Sequence, residues 1–209
     1  MKYFLSVLAI IGIYLIAFTE IKQAQTVSEP LEITIHVKYK DIQPVSIKPV
    51  VEPVINTANK DTFVQTLNAC VNHIYSKLPV EQHIPKEILI AQAALETGWG
   101  SSRFANEGNN LFGIRTFNKD SDWLLPVTWD QNKWIGWGVK VYETKCQSVK
   151  DYVRIINTVF AYEKFRELRS QNASVYDLVD TLDKYATKNS YTELVKKVIK
   201  YNIEGVYEL

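Results

Sequence analysis

Ala93-Ala94-Leu95-Glu96-Thr97-Gly98-Trp99-Gly100 decides the reading of this chain, because it ends an apolar helix on a carboxylate and follows the acid with a glycine-flanked tryptophan. Upstream, Pro85 suits a first helical position and Ile88, Leu89, Ala91, Ala94 and Leu95 recur at helical spacing, so Glu96 is expected in the last turn before Gly98. The negative end of the helix dipole then lies beside the acid. A carboxylate there, partly desolvated by an indole, has its neutral form favoured and can hold a proton near neutral pH, as a general acid must. The competing reading makes Glu96 a solvated helix-end residue, with Gly98 and Gly100 serving only to stop the helix and turn the chain.

All five tryptophans, Trp99, Trp123, Trp129, Trp134 and Trp137, follow the acid within one stretch. Core packing alone would scatter them. Flat indole faces suit the apolar faces of sugar rings, so an acid beside several indoles suggests a carbohydrate cleft with a protonatable wall. Large aromatics are also packing material, and roughly half of these rings are expected to be structural.

These residues also carry a resemblance. Ala-Leu-Glu-Thr-Gly-Trp-Gly-Ser-Ser from Ala94, followed by Asn109-Asn110-Leu111-Phe112-Gly113-Ile114, resembles the bacterial glucosaminidases of glycoside hydrolase family 73, and within them the Bax-type proteins. The likeness continues through Val141-Tyr142-Glu143, Ser148-Val149-Lys150-Asp151-Tyr152-Val153, Asn157-Thr158, Ala161-Tyr162 and Phe165-Arg166-Glu167-Leu168-Arg169, and closes with Tyr185-Ala186-Thr187 and Tyr191. It spans residues 61–209 in several ordered motifs rather than one short pattern. The resemblance implies an α+β, mostly α, lysozyme-like fold with a small β-lobe across a cleft, and hydrolysis of the bond after N-acetylglucosamine in peptidoglycan. Glu96 matches the catalytic acid. Tyr185 matches the tyrosine that lines the cleft near the sugar being cut, and Asn110 and Phe112 match positions in the floor of the site. Trp99, Trp134 and Tyr191 complete the expected substrate-binding set.

The periodicity is compatible with that architecture. A helix is expected over 62–78 with Phe63, Leu67, Val71, Ile74 and Leu78 on one face and Pro79 at its stop. A second should begin at Ser148 as N-cap and run to Phe160. A third should follow Ser174 with Leu178, Val179, Leu182 and Tyr185, and a fourth should span Tyr191 to Tyr201. Between the last two, Lys188-Asn189-Ser190 reads as a turn. From Arg115 to Glu143 the helical period breaks, and Lys133-Trp134-Ile135-Gly136-Trp137-Gly138-Val139-Lys140-Val141 has the aromatic and β-branched content of strands.

Three segments result: residues 1–19 as signal peptide or membrane anchor, 20–60 as extended stem, and 61–209 as the catalytic domain. Lys2 precedes the apolar run Tyr3 to Phe18 and Glu20 ends it, which points to export into the cell envelope or periplasm. The run would span on the order of 25 Å as a helix, short of a hydrocarbon core of about 30 Å. The small-residue pattern of a signal-peptidase site is poor, which favours retention at the inner membrane over secretion. The stem holds Pro30, Pro44, Pro49 and Pro53 and no glycine; at about 3.1 Å per residue it could hold the domain tens of ångströms from the bilayer. A net charge of +1 over 209 residues argues against a nucleic-acid partner, and 46% hydrophobic content can supply one core.

His36, His73 and His83 form no metal-ligand spacing with cysteine or carboxylate, so neither metal nor cofactor is expected. Cys70 and Cys146 read either as a disulfide or as two buried thiols. A glycosidase ordinarily uses two carboxyl groups, and only one here has a motif. Asp120, Asp122, Asp130 and Glu143 are available in or beside the β-lobe. Asp130 is the choice for a residue acting on water; assistance by the substrate's acetamido oxygen is the rival. A lytic transglycosylase would use a similar helix-end glutamate but leave an anhydro product, and a non-catalytic wall-binding protein would keep the cleft without turnover.

Overall fold

The computed structural model describes residues 51–126, 134–186 and 190–209. The apolar N-terminal run, most of the stem, Asp130 and Thr187 lie outside the described residues.

Helix α1, Lys60–Tyr75, is capped by the Asn59 side chain, which accepts from the Thr62 amide. Phe63, Leu67, Val71 and Ile74 are buried at the expected spacing. The helix stops short of Leu78 because the Lys77 and Leu78 amides bond back three residues, to Ile74 and Tyr75, and tighten the chain ahead of Pro79. After a 3₁₀ turn at Val80–Gln82, helix α2, Lys86–Thr97, begins one residue later than expected. Pro85 sits outside it as the cap residue, and its carbonyl receives the Ile88 and Leu89 amides. Seven consecutive residues of α2, from Ile88 to Ala94, are buried, so this helix is enclosed on all faces and forms the centre of the core. Each large aliphatic side chain there contributes about 1.5–3 kcal/mol of burial.

A short α3, Arg103–Glu107, leads to the β-lobe: β1 Arg115–Thr116, β2 Trp123–Leu124 and β3 Gly138–Lys140, antiparallel in the order β1-β3-β2. Arg115 pairs with Val139 and Trp123 with Lys140. The strand expected over 133–141 is thus confined in the described residues to three positions, of which Val139 pairs with both neighbours.

Helix α4, Lys145–Thr158, starts ahead of Ser148 because a competing cap, Thr144, accepts from the Gln147 amide. Ser148 is instead buried inside the helix, where its hydroxyl donates to the Lys145 carbonyl and accepts from the Leu111 amide. Helix α5, Glu163–Ser170, precedes α6, Val175–Asp180, which Ser174 caps as expected. Leu182 and Tyr185 ride on the turns after α6 rather than on the helix. Helix α7, Tyr191–Val198, runs into a π-turn at Ile199–Ile203. The architecture is mostly helical with a small three-stranded antiparallel sheet.

Cys70 on α1 and Cys146 on α4 form a disulfide, with Cα atoms 5.8 Å apart across 76 residues of chain. Closing a loop of that length removes about 4–5 kcal/mol of unfolded-state entropy in the chain-entropy account.

Candidate active site

The end of α2 places the acid. Glu96 occupies its last turn, and Gly98, Trp99 and Gly100 follow with φ of 56°, 61° and 85°. Three successive left-handed residues reverse the chain at once. Thr97 holds the turn, its hydroxyl donating to the Ala93 carbonyl and accepting from the Gly100 amide at 2.7 Å. A Cβ on Gly100 would lie 2.5 Å from Thr57 Cγ2, so both backbone angle and space require glycine there. The turn delivers the Trp99 ring onto Phe63 at 6.3 Å, edge to face, with Lys60 Nζ 4.2 Å from the indole centre.

Glu96 faces a cleft of about 670 Å³, lined also by residues 112–115, Phe117, Ile155, Tyr162 and residues 183–186. Burial pushes its carboxyl above the ordinary carboxylate range, and the nearby Tyr191 hydroxyl partly opposes the shift. Tyr191 in turn accepts from Gln92 Nε2 at 2.9 Å, and Tyr152 donates to Gln92 Oε1. Burial holds the Tyr152, Tyr185 and Tyr191 hydroxyls protonated. Their rings form one cluster: Phe112 stacks on Tyr152 at 4.1 Å, and Tyr185 on Tyr191 at 5.5 Å. Among the described residues, the aromatic side chains that share the cleft with the acid are Phe112, Phe117, Tyr162 and Tyr185, where the sequence suggested an indole.

The stretch after α3 is folded around the side chain of Asn110. Its Oδ1 accepts from the Phe112 and Ile114 amides, and its Nδ2 donates to the Ile114 and Lys140 carbonyls at 2.9 and 2.8 Å. This ties the loop to β3 and sets Gly113, φ 62°, beside the acid; a Cβ there would stand 3.5 Å from Glu96 Oε2. Tyr185 Oη donates to the Phe112 carbonyl at 2.7 Å and joins the opposite stretch of the cleft to this loop.

The family described as mannosyl-glycoprotein endo-beta-N-acetylglucosaminidase matches residues 72–204. The chain belongs to this glucosaminidase family. It is 25% identical over 193 residues to the exo-glucosaminidase LytG of Bacillus subtilis, an alignment covering 89% of this chain and 61% of that protein. Over 111 residues it is 31% identical to the Bax protein of Escherichia coli, covering 50% of this chain and 38% of the relative. It is 30% identical over 157 residues to the peptidoglycan hydrolase FlgJ of Vibrio parahaemolyticus, covering 70% and 48%. The fold is shared with the catalytic domain of the autolysin Auto from Listeria monocytogenes, with a TM-score of 0.52 at 24% identity over 69% of this chain and 85% of that one.

Within the glucosaminidase domain, the residues singled out from sequence separate by position. Glu96, Phe112 and Tyr185 line the cleft. Tyr191 reaches the acid from behind and is 5% exposed. Asn110, fully buried, has its polar atoms committed to backbone, so it builds the floor rather than facing the cleft. Trp99 packs on α1, and Trp134 packs on Trp123 at 5.0 Å in the β-lobe; neither is among the described lining residues. Asp120, Asp122 and Glu143 are exposed and do not line the cleft, and Glu143 accepts instead from Gln147.

Sequence reasoning gave no role to Arg115, Phe117, Tyr162, Asp183 or Gln92. Arg115 lies over the Trp137 ring at 4.1 Å, and Phe117, 74% exposed, stands at the cleft as an apolar platform. Tyr162 belongs to a motif already quoted in the resemblance, so its signal was present without a function attached. Asp183, half of a salt bridge to Lys184, is the other carboxylate among the described cleft residues; its sequence neighbourhood carries no motif. A second groove of about 630 Å³, beside α1 and α4, contains Asp151, held below the ordinary carboxylate range because bonds from Lys140, Tyr142 and Arg154 outweigh its burial. That pairing spends the carboxylate structurally. Among the described residues, no group of three or more His, Cys, Asp or Glu side chains is placed to hold a metal ion.

Proposed function

We propose that this chain hydrolyses the glycosidic bond after N-acetylglucosamine in peptidoglycan, as an endo-acting enzyme with Glu96 as general acid. The observation that carries the reading is a partly buried helix-end carboxyl, raised in pKa and aimed into an open cleft, within a glucosaminidase domain. Relatives named as a glucosaminidase and a peptidoglycan hydrolase support the substrate class. The cleft between helical body and β-lobe fits the lysozyme-like arrangement.

An acid that keeps its proton near neutral pH can deliver it to the leaving oxygen as the bond to the anomeric carbon breaks. The bonding pair leaves with that oxygen and positive charge develops on the sugar as an oxocarbenium ion, which needs a carboxylate, a water or an internal nucleophile on its other face. Asp130 is the proposed second carboxylate, acting on water. The substrate's acetamido oxygen is the alternative, with Tyr185 beside it to orient the group. Phe112 and Tyr185, with Tyr191 behind them, frame the sugar at the acid; Trp99, Asn110 and Trp134 support the surrounding loops.

Purified full-length protein acting on peptidoglycan, read by mass spectrometry, tests the reading. Products with N-acetylglucosamine at the reducing end are expected. Anhydro-N-acetylmuramic acid ends would make the protein a lytic transglycosylase, and no products a wall-binding module. Asp130→Asn and Asp183→Asn in parallel locate the second carboxylate, and full activity in both favours acetamido assistance.

We further propose residues 1–19 as export signal or inner-membrane anchor, 20–60 as stem and 61–209 as the enzyme. The Cys70–Cys146 disulfide supports an oxidising compartment such as the periplasm. Among the described residues no helix is long and apolar enough to cross a membrane, so anchoring rests on the N-terminal run alone. A mature N-terminus near residue 20 or 25 would replace the anchor with a cleaved signal.

A further inference from the structure

A buried chain of hydrogen bonds lies one helical turn behind the acid, and its members have fixed polarity. Gln92 is on α2, one turn before Glu96, and is 0% exposed. Tyr152 on α4, also 0% exposed, donates its hydroxyl to Gln92 Oε1. That bond orients the amide so that Nε2 faces Tyr191 at the start of α7 and donates to its oxygen at 2.9 Å. The Tyr191 oxygen has thus taken a hydrogen, which leaves its own hydroxyl hydrogen free to turn toward Glu96, the next residue along that face of α2. Three helices contribute one side chain each, and both bonds donate toward the cleft.

We propose that Gln92 is a positioning residue that aims the Tyr191 hydroxyl at Glu96, with Tyr152 locking the amide in the orientation that does so. The proposal rests on Glu96 being the acid. A polar side chain in the middle of the most enclosed helix would otherwise be costly and without purpose, since an aliphatic residue of similar volume would fill the space. The relay gives it one. The Glu96 oxygen that accepts from Tyr191 is occupied, so the transferable proton sits on the other oxygen, and the carboxyl plane is held against rotation. Removing the Tyr152 hydroxyl leaves Oε1 without its donor. The amide can then turn over and offer Oε1 to Tyr191, drawing the hydroxyl hydrogen away from Glu96.

The test is the pH dependence of peptidoglycan hydrolysis by the full chain carrying Tyr191→Phe, Gln92→Met, Tyr152→Phe, or Gln92→Met with Tyr191→Phe, each with its thermal unfolding curve. The other groups around the cleft, Arg115, Asp183, Lys184, Tyr162 and Tyr185, are retained in every variant, so a shift reads the relay. The alkaline limb is expected to move to higher pH in Tyr191→Phe. It should move the same way in Gln92→Met and Tyr152→Phe, and no further in the double variant than in Tyr191→Phe. For each single variant kcat should fall roughly tenfold with little change in KM. Lower melting temperatures with an unmoved limb in Gln92→Met and Tyr152→Phe would make the chain structural only and overturn the proposal. Tyr152→Phe, which removes a single oxygen, decides the matter if Gln92→Met does not fold. Wild-type turnover in Glu96→Gln would instead overturn the assignment of the acid itself.

Discussion

The Tyr185 hydroxyl donates to the Phe112 carbonyl across 2.7 Å, so the turn after α6 and the loop before β1 are joined beside Glu96. With its hydrogen committed there, the hydroxyl has only its oxygen, as an acceptor, to offer the cleft. Tyr185→Phe should cost about 1 kcal/mol of stability, the net value of one such bond. It should also loosen the loop that carries Gly113. Denaturant unfolding measures the first effect, and amide hydrogen exchange at residues 110–114 the second; unchanged exchange there would detach Tyr185 from the loop.

Activity should be lost as pH rises through the folded pKa of Glu96, because the acid works only while protonated. Burial raises that pKa, so the alkaline limb of kcat/KM should fall above the ordinary carboxylate range. A limb at or below about pH 4 would contradict the buried environment.

Glu96→Gln keeps the shape of the acid and removes its proton, so turnover should fall by roughly 10²-fold or more with peptidoglycan binding retained. The same variant carries a stability signature. A carboxyl whose folded pKa is raised destabilises the fold once pH exceeds its unfolded value of about 4.3. The amide has no such term. Glu96→Gln should therefore melt no lower than wild type near pH 7, and any advantage should vanish below about pH 4. Differential scanning calorimetry at the two pH values checks this, and a lower melting temperature at pH 7 would contradict it.

Two positions hold the loops rather than the substrate. Gly100→Ala places a Cβ 2.5 Å from Thr57 in a left-handed conformation, which should cost about 3 kcal/mol or more. Asn110→Ala leaves the Phe112 and Ile114 amides and the Lys140 carbonyl without this partner, while the Ile114 carbonyl keeps the Lys140 amide, and should cost a comparable amount, about 3 kcal/mol. Urea unfolding of the folded variants measures both.

Reducing the Cys70–Cys146 bond, or replacing both cysteines by alanine, should lower stability by up to about 4–5 kcal/mol. Unfolding in the presence and absence of reductant reads the difference. Equal midpoints would mean that the bond does not close in the folded protein.

By itself the sequence determined what local pattern encodes. An apolar helix ending on Glu96, a glycine-framed turn after it, the cap at Ser174, and a break in period at the β-lobe all follow from spacing and backbone preference. Boundaries slipped where two local signals competed, as Thr144 did with Ser148 for the start of α4. Which aromatic rings meet the acid follows from packing alone, because a side chain's neighbours depend on how helices far apart in sequence come together. Trp99, three residues from Glu96, is turned onto α1 by three left-handed residues, while Tyr191, ninety-five positions away, is bonded to Gln92 one turn from it. The same packing brought Cys70 to Cys146, spent the polar atoms of Asn110 on the backbone, and set Asp183, with no motif to mark it, in the cleft.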